Sequence, residues 1–202
     1  ELGNITLNST CGSSPNNNHC YYHEALFVAK IDAFGKWMWA VNASSTWNAN
    51  GYSAVNAIEI DQFGDAYITG IIRTQAYSYS EINFGNISLD DPGVGGGNRA
   101  FIAKVNQSGS FDWALMDNRT SAINSVGYDL IVDSGKVTVI GSMVGGIILD
   151  WDSETVSGNQ AHGFVAQLTS NTGTVMWISK FGTSTTAYWD SIHIETDGQD
   201  VF

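Results

Sequence analysis

Two cysteines, two prolines and eight basic residues are all that the 202-residue chain holds of those types. Twenty acidic residues stand against the eight Lys and Arg, a formal net charge of −12. Such a surface repels phosphate backbones and anionic lipid, so nucleic acid is not an expected partner. No run approaches the roughly 18 apolar residues that a membrane span needs, and membrane insertion of this segment is not expected. No signal-peptide pattern precedes Glu1 and the chain opens without Met, so the expectation is numbering that begins after processing or inside a longer polypeptide. Helix-rich sequence is nearly absent, as are the marks of catalysis. GVGGG (Gly93 to Gly97) lacks a following Lys-Ser/Thr, and neither His162 nor His193 belongs to a nucleophile pattern. No enzyme activity and no cofactor are therefore expected.

What is present is apolar content (43%), 22 Gly, and a phrase written three times. FVAKIDAFGKWMW (Phe27 to Trp39), FIAKVNQSGSFDW (Phe101 to Trp113) and FVAQLTSNTGTVMW (Phe164 to Trp177) align on Gly35, Gly109 and Gly173, each followed four positions later by Trp39, Trp113 or Trp177. A second phrase recurs as NAIEIDQFGDAYITG from Asn56, YDLIVDSGKVTVIG from Tyr128 and SIHIETDGQDVF from Ser191. A third appears as LGNITL from Leu2 and FGNISL from Phe84, degenerating to ILDWDSETV from Ile148. Repetition at this scale predicts a single array over 1–202, in approximate units 1–81, 82–146 and 147–202.

Each phrase reads as strand. Phe27, Ala29 and Ile31 fall on one face and Val28 and Lys30 on the other; Phe101, Ala103 and Val105, then Phe164, Ala166 and Leu168, repeat the pattern. Strands apolar on both faces belong in a sheet covered on two sides. In the intervening turns Asp61, Asp133 or Asp197 can cap backbone N–H groups, while Gly64, Gly135 or Gly198 takes positive φ. The fold class expected is all-β: propeller-type blades of four antiparallel strands, about three repeats, ordered Trp strand, AIEID strand, AYITG strand, FVAK strand. The turn after FVAK would lead into the next blade, where Trp39, Trp113 and Trp177 would lie flat as inter-blade packing residues. Burying such an indole removes on the order of 200 Å² from water. A two-sheet sandwich is the alternative.

GYSAVNAIEIDQFGDAYITG followed by AFIAKVNQSGSFDW resembles the SBBP repeats, the β-propeller repeats of bacterial and archaeal surface and secreted proteins. Their units run from a D-x-x-G-x-x-Y-x-x-G strand pair to an F-V-A-K strand and a Trp. The likeness covers nearly the whole chain and implies a scaffold with no common catalytic residues. Ala29 to Trp39 also resembles the tryptophan-docking motif of quinoprotein propellers, although their calcium and quinone ligands have no counterparts here. Fewer than three complete units are present, whereas closed propellers need at least about four. Either the array continues in a longer chain, which is the expectation, or neighbouring subunits complete the ring.

Cys11 and Cys20 bracket a turn-rich loop, and a disulfide there, worth roughly 2 to 3 kcal/mol, would place the protein in an oxidising compartment. Adding His19 and His23 fits no common zinc spacing, and no metal is expected. Six Asn-x-Ser/Thr sequons occur, at Asn4, Asn8, Asn42, Asn86, Asn106 and Asn118. Asn4 and Asn86 are repeat equivalents, and Asn42 and Asn118 both follow a Trp strand; Asn106 is equally suited to capping its own turn. Asp150, Asp152 and Glu154 alternate along a strand without the spacing of calcium loops and read as a solvated edge. Lys30, Lys104 and Gln167 share one repeat position, suited to structural hydrogen bonds. The function expected is an extracellular, secreted structural or adhesive glycoprotein of the cell surface, a surface-layer or filament subunit whose partners are copies of itself or other surface proteins. The alternative is a glycan-binding propeller stacking sugars on Trp47, Tyr77, Tyr79, Trp151 and Trp189; less favoured is a quinoprotein-type enzyme fragment.

Overall fold

The computed structural model describes residues 5–7, 26–45, 53–74, 80–91, 97–117, 124–144, 147–148, 155–156, 161–184, 193–198 and 200. Fourteen strands account for most of them and no helix occurs among them: β1 (Phe27–Ile31), β2 (Trp37–Ser45), β3 (Ser53–Ile60), β4 (Ala66–Thr74), β5 (Ser80–Phe84), β6 (Ile87–Asp91), β7 (Gly97–Val105), β8 (Phe111–Met116), β9 (Asn124–Asp133), β10 (Lys136–Val144), β11 (Ile147–Ile148), β12 (Thr155–Val156), β13 (Ala161–Thr169) and β14 (Val175–Ser184). They form three four-stranded antiparallel sheets, ordered β1-β2-β5-β6, β3-β4-β7-β8 and β9-β10-β13-β14, and a ribbon of β11 with β12. The sheets are open and do not close into a ring.

Side-chain capping makes the hairpins. Asp32 Oδ1 accepts the Phe34 and Lys36 amides, both at 2.9 Å, and Asp61 Oδ1 accepts those of Phe63 and Asp65. Asn106 Oδ1 does the same for Ser108 and Ser110, and Thr169 Oγ1 for Thr174. Ser134 and Gly135 both take positive φ, 49° and 76°, which tightens the β9–β10 turn to two residues.

The order of strands corrects one expectation. The Trp strand does not open a following sheet but is hydrogen-bonded to the FVAK strand of its own, at the sheet edge as β8 and β14 and between β1 and β5 as β2: Lys30 opposite Trp39, Lys104 opposite Trp113, Gln167 opposite Trp177. The capped turn brings the chain back on itself, as Asp32 N–H donates to Lys36 O at 2.9 Å, and so short a reversal yields a hairpin within one sheet.

The third phrase has a separate use. β5 and β6 lie between β4 and β7 in sequence, yet β5 pairs with β2 of the first sheet, Ala43 opposite Phe84. The hairpin is a clasp. Phe84, fully buried, packs edge-on to Phe111 with ring centres 5.2 Å apart and stands 5.7 Å from Phe101, both in the middle sheet. β5 also begins at Ser80, across the 81/82 boundary expected between units.

The three sheets stack face to face. Phe101, Ala103 and Val105 of β7 enter one core with Val28, Ala43, Ile82 and Phe84. Ala100 and Ile102 on the opposite face of β7 enter a second with Leu130, Val139, Phe164, Ala166 and Leu168. Period-two alternation thus fills both faces of the middle sheet, as the two-sided apolar strands predict. Gly70 is required by the bulge at Asn56 in β3, because a Cβ there would stand 1.9 Å from Ala54 O.

Candidate functional site

The constellation built most completely is the joint between sheets, and it is built twice. At the first joint Trp39, carried by β2, donates its indole N–H to Gln107 O of the middle sheet at 2.9 Å. Its ring lies on Gly109, where a Cβ would come within 2.8 Å of the indole. At the second joint Trp113, carried by β8, donates to Ser170 O of the third sheet at 3.0 Å, with its ring on Gly173. Both glycines take positive φ, 85° and 68°. The repeated Gly therefore meets two demands, the left-handed turn and the flat seat for the preceding Trp. Trp177, also expected between blades, is 42% exposed. Its N–H donates instead to Gln167 Oε1 at 3.2 Å within its own sheet, since no following turn stands before it among the described residues.

Behind the first joint lies a buried cation. Lys104 Nζ stands 2.9 Å from Asp65 Oδ2, 3.5 Å from Asp112 Oδ2, and 5.6 Å from the centre of the Tyr67 ring. Burial alone would lower the Lys104 pKa, but its bond to Asp65 and the charges around it outweigh that and push it above the ordinary lysine value. Burial pushes the Tyr67 phenol up as well. Asp65 Oδ1 in turn accepts the Gln107 amide at 2.9 Å, which holds the residue whose carbonyl receives Trp39. The Tyr67 hydroxyl lies 3.1 Å from Asp61 Oδ2 and 3.3 Å from Ser170 O, beside the Trp113 bond. In the third sheet Gln167 and Thr138 stand at the places of Lys104 and Tyr67, and Gln167 Nε2 donates to Thr138 Oγ1 at 3.1 Å.

The inner edge of the second joint carries a polar network that sequence reasoning missed. Arg99 donates to Asp117 O at 2.9 Å, the Asp117 carboxylate accepts Ser125 Oγ–H at 2.6 Å, and Ser125 Oγ accepts the Ala100 amide at 2.9 Å. All three side chains are buried. Asn56 adds a bond from its amide to Gly127 O at 2.7 Å. A signal existed: Arg99 stands two residues before Phe101 and His162 two before Phe164. Buried His162 likewise ties its strand to β14, its Nδ1–H donating to Gly182 O at 2.8 Å.

The sequon positions divide sharply. Asn86 is exposed at the tip of the β5–β6 hairpin. Asn42 lies inside β2 opposite Phe27, half-buried. Asn106 has its amide committed to Asp112 Oδ1 at 2.7 Å while its carbonyl caps the turn. Asn4, Asn8, Asn118, Cys11 and Cys20 lie outside the described residues, as do Asp150, Asp152, Glu154 and the aromatics Trp47, Tyr77, Tyr79, Trp151 and Trp189.

A half-open cleft of about 240 Å³ lies between the β3–β4 and β9–β10 turns, lined by Asp61, Phe63, Asp133, Ser134 and Ser170. The Asp61 carboxylate is already engaged by its turn amides and Tyr67, so the cleft walls serve the hairpins. No group of three or more His, Cys, Asp or Glu able to hold a metal occurs among the described residues, nor does a helix long and apolar enough to cross a membrane. What this arrangement does chemically is hold sheets together. No protein-family model matches the chain, and no curated protein matches it in sequence.

Proposed function

We propose that the protein is an extracellular structural or adhesive glycoprotein: a stack of propeller-type repeats of the SBBP kind, stapled by Cys11 to Cys20, carrying N-linked sugar, and serving as a subunit of a surface layer or filament. The observation that carries the reading is the joint repeated between sheets. Trp39 on Gly109 and Trp113 on Gly173 spend the most distinctive residues of the repeat on mechanical continuity. Asn86, exposed at a hairpin tip, gives the reading an accessible acceptor for sugar.

The test is intact mass of protein recovered from its native source, before and after enzymatic deglycosylation and thiol alkylation without reductant. The reading expects a mass above that of the polypeptide which falls on deglycosylation, and no alkylation of Cys11 or Cys20. Unmodified mass with two alkylated thiols overturns it.

A further inference from the structure

The cleft between the β3–β4 and β9–β10 turns offers more than the hairpins use. It lies where a longer turn, Asp61 to Asp65, stands beside a shorter one made by Ser134 and Gly135. Its volume of about 240 Å³ is on the scale of a single sugar ring rather than of a drug-sized ligand. Phe63 lines it from the longer turn and is 70% exposed, and Ile60 and Val132 add apolar wall. Among the described residues, Asp133 Oδ1, the Gln62 side-chain amide and the Ser170 hydroxyl have no hydrogen-bond partner, and all three residues line the cleft. Ser134 is the one described residue other than glycine with positive φ, 49°. Glycine would hold the same turn without strain, so the side chain kept there has a use that offsets the strain. Its hydroxyl donates to Asp133 Oδ2 at 3.1 Å and fixes that carboxylate.

We infer that this cleft binds a neutral saccharide, with the apolar C–H face of one pyranose on the Phe63 ring and neighbouring sugar hydroxyls donating to the Asp133 carboxylate, while Gln62 and Ser170 complete the polar contacts. The wall selects this class of ligand. A sugar hydroxyl donates and accepts at once, which suits a carboxylate acceptor set beside an amide and a hydroxyl that can each do both. An anionic ligand would meet the Asp61 and Asp133 carboxylates on a chain of net charge −12. An ammonium ligand would set its own donors against the Gln62 N–H donors. The inference goes beyond the scaffold reading and does not depend on it, since a chain that carries no sugar of its own keeps the cleft.

The experiment is saturation-transfer NMR on the full chain, with methyl glucoside, methyl mannoside, methyl galactoside, N-acetylglucosamine and cellobiose as probes and spermidine as the cationic control. A saccharide among them is expected to bind in the millimolar range, with transfer strongest to the ring protons of one face. Phe63→Ala removes an exposed ring and keeps the backbone amide that Asp61 caps, and it is expected to weaken binding about tenfold. Phe63→Tyr is expected to bind as the wild type does, and Asp133→Asn to bind about tenfold more weakly. Thermal midpoints check that each variant is folded. No binding of any saccharide, binding of spermidine alone, or saccharide binding that Phe63→Ala leaves unchanged overturns the inference. Intact mass read on the same samples separates the two claims. Saccharide bound by an unglycosylated protein supports the cleft and sinks the glycoprotein reading, and a glycosylated protein that binds none of the probes does the reverse.

Discussion

Trp113 lies on Gly173 across the gap between the middle and third sheets, and its indole N–H reaches Ser170 O at 3.0 Å. Trp113→Ala removes a ring that is 8% exposed, and the expected loss is about 3 to 5 kcal/mol. Trp113→Phe keeps most of the apolar contact and gives up the hydrogen bond, so a smaller loss of about 1 to 2 kcal/mol is expected. Urea unfolding of both variants checks the order.

The clasp makes a second point of attack. Phe84 is the only aromatic of the β5–β6 hairpin, and it is buried against Phe101 and Phe111. Phe84→Ala is expected to cost about 3 to 5 kcal/mol and to raise hydrogen exchange in β1 and β2 before it does so in β9 and β10. Exchange measured by mass spectrometry decides; uniform loosening of all three sheets would contradict the clasp.

Alkali should loosen the first joint. Lys104 and Tyr67 both have pKa values raised in the folded protein, from 10.5 and 10.0. A raised folded pKa means that the folded state keeps its proton where the unfolded chain loses it. The contribution is therefore whole below those ordinary values and disappears as pH climbs through the folded ones. Thermal midpoints are expected to fall above about pH 10, and the slope there to be shallower in Lys104→Met/Tyr67→Phe.

Sugar occupancy should follow side-chain freedom. Asn86 is exposed at a turn, while the Asn106 amide nitrogen donates to Asp112 and its oxygen caps three further donors on Ser108 and Ser110. On the glycoprotein reading proposed above, glycopeptide mapping of protein from its native source is expected to show Asn86 occupied to a greater extent than Asn106. Equal occupancy would mean that the sugar is added before the turn closes.

Strand identity, the two-sided burial of β7 and the Asp- and Gly-capped turns were legible from period-two alternation and turn chemistry. The place of the Trp strand was not. A turn such as Asp32 to Lys36 and a crossing between sheets both need a capping side chain and a Gly, and only the return bond from Asp32 N to Lys36 O separates them. The destination of FGNISL was hidden for a similar reason: alternation shows that β5 and β6 pair with each other, yet which sheet edge they extend depends on Phe84 meeting Phe101 and Phe111, partners distant in sequence. The Lys104 and Arg99 networks escaped because each joins residues of separate strands that share no local motif.

Gly35 and Gly109 offer the most direct measurement. They have φ of 82° and 85°, in turns capped in the same way, and differ in that an indole covers Gly109 while no described residue lies within 4 Å of where a Cβ on Gly35 would be. In dilute, monomeric solution Gly35→Ala should cost only the left-handed backbone penalty, about 1 to 2 kcal/mol. Gly109→Ala should cost that and about 1 to 3 kcal/mol more, because its methyl group must displace Trp39. A clear excess at Gly109 in equilibrium unfolding is the predicted result. Equal losses at the two glycines would contradict the joint between indole and glycine on which the account depends.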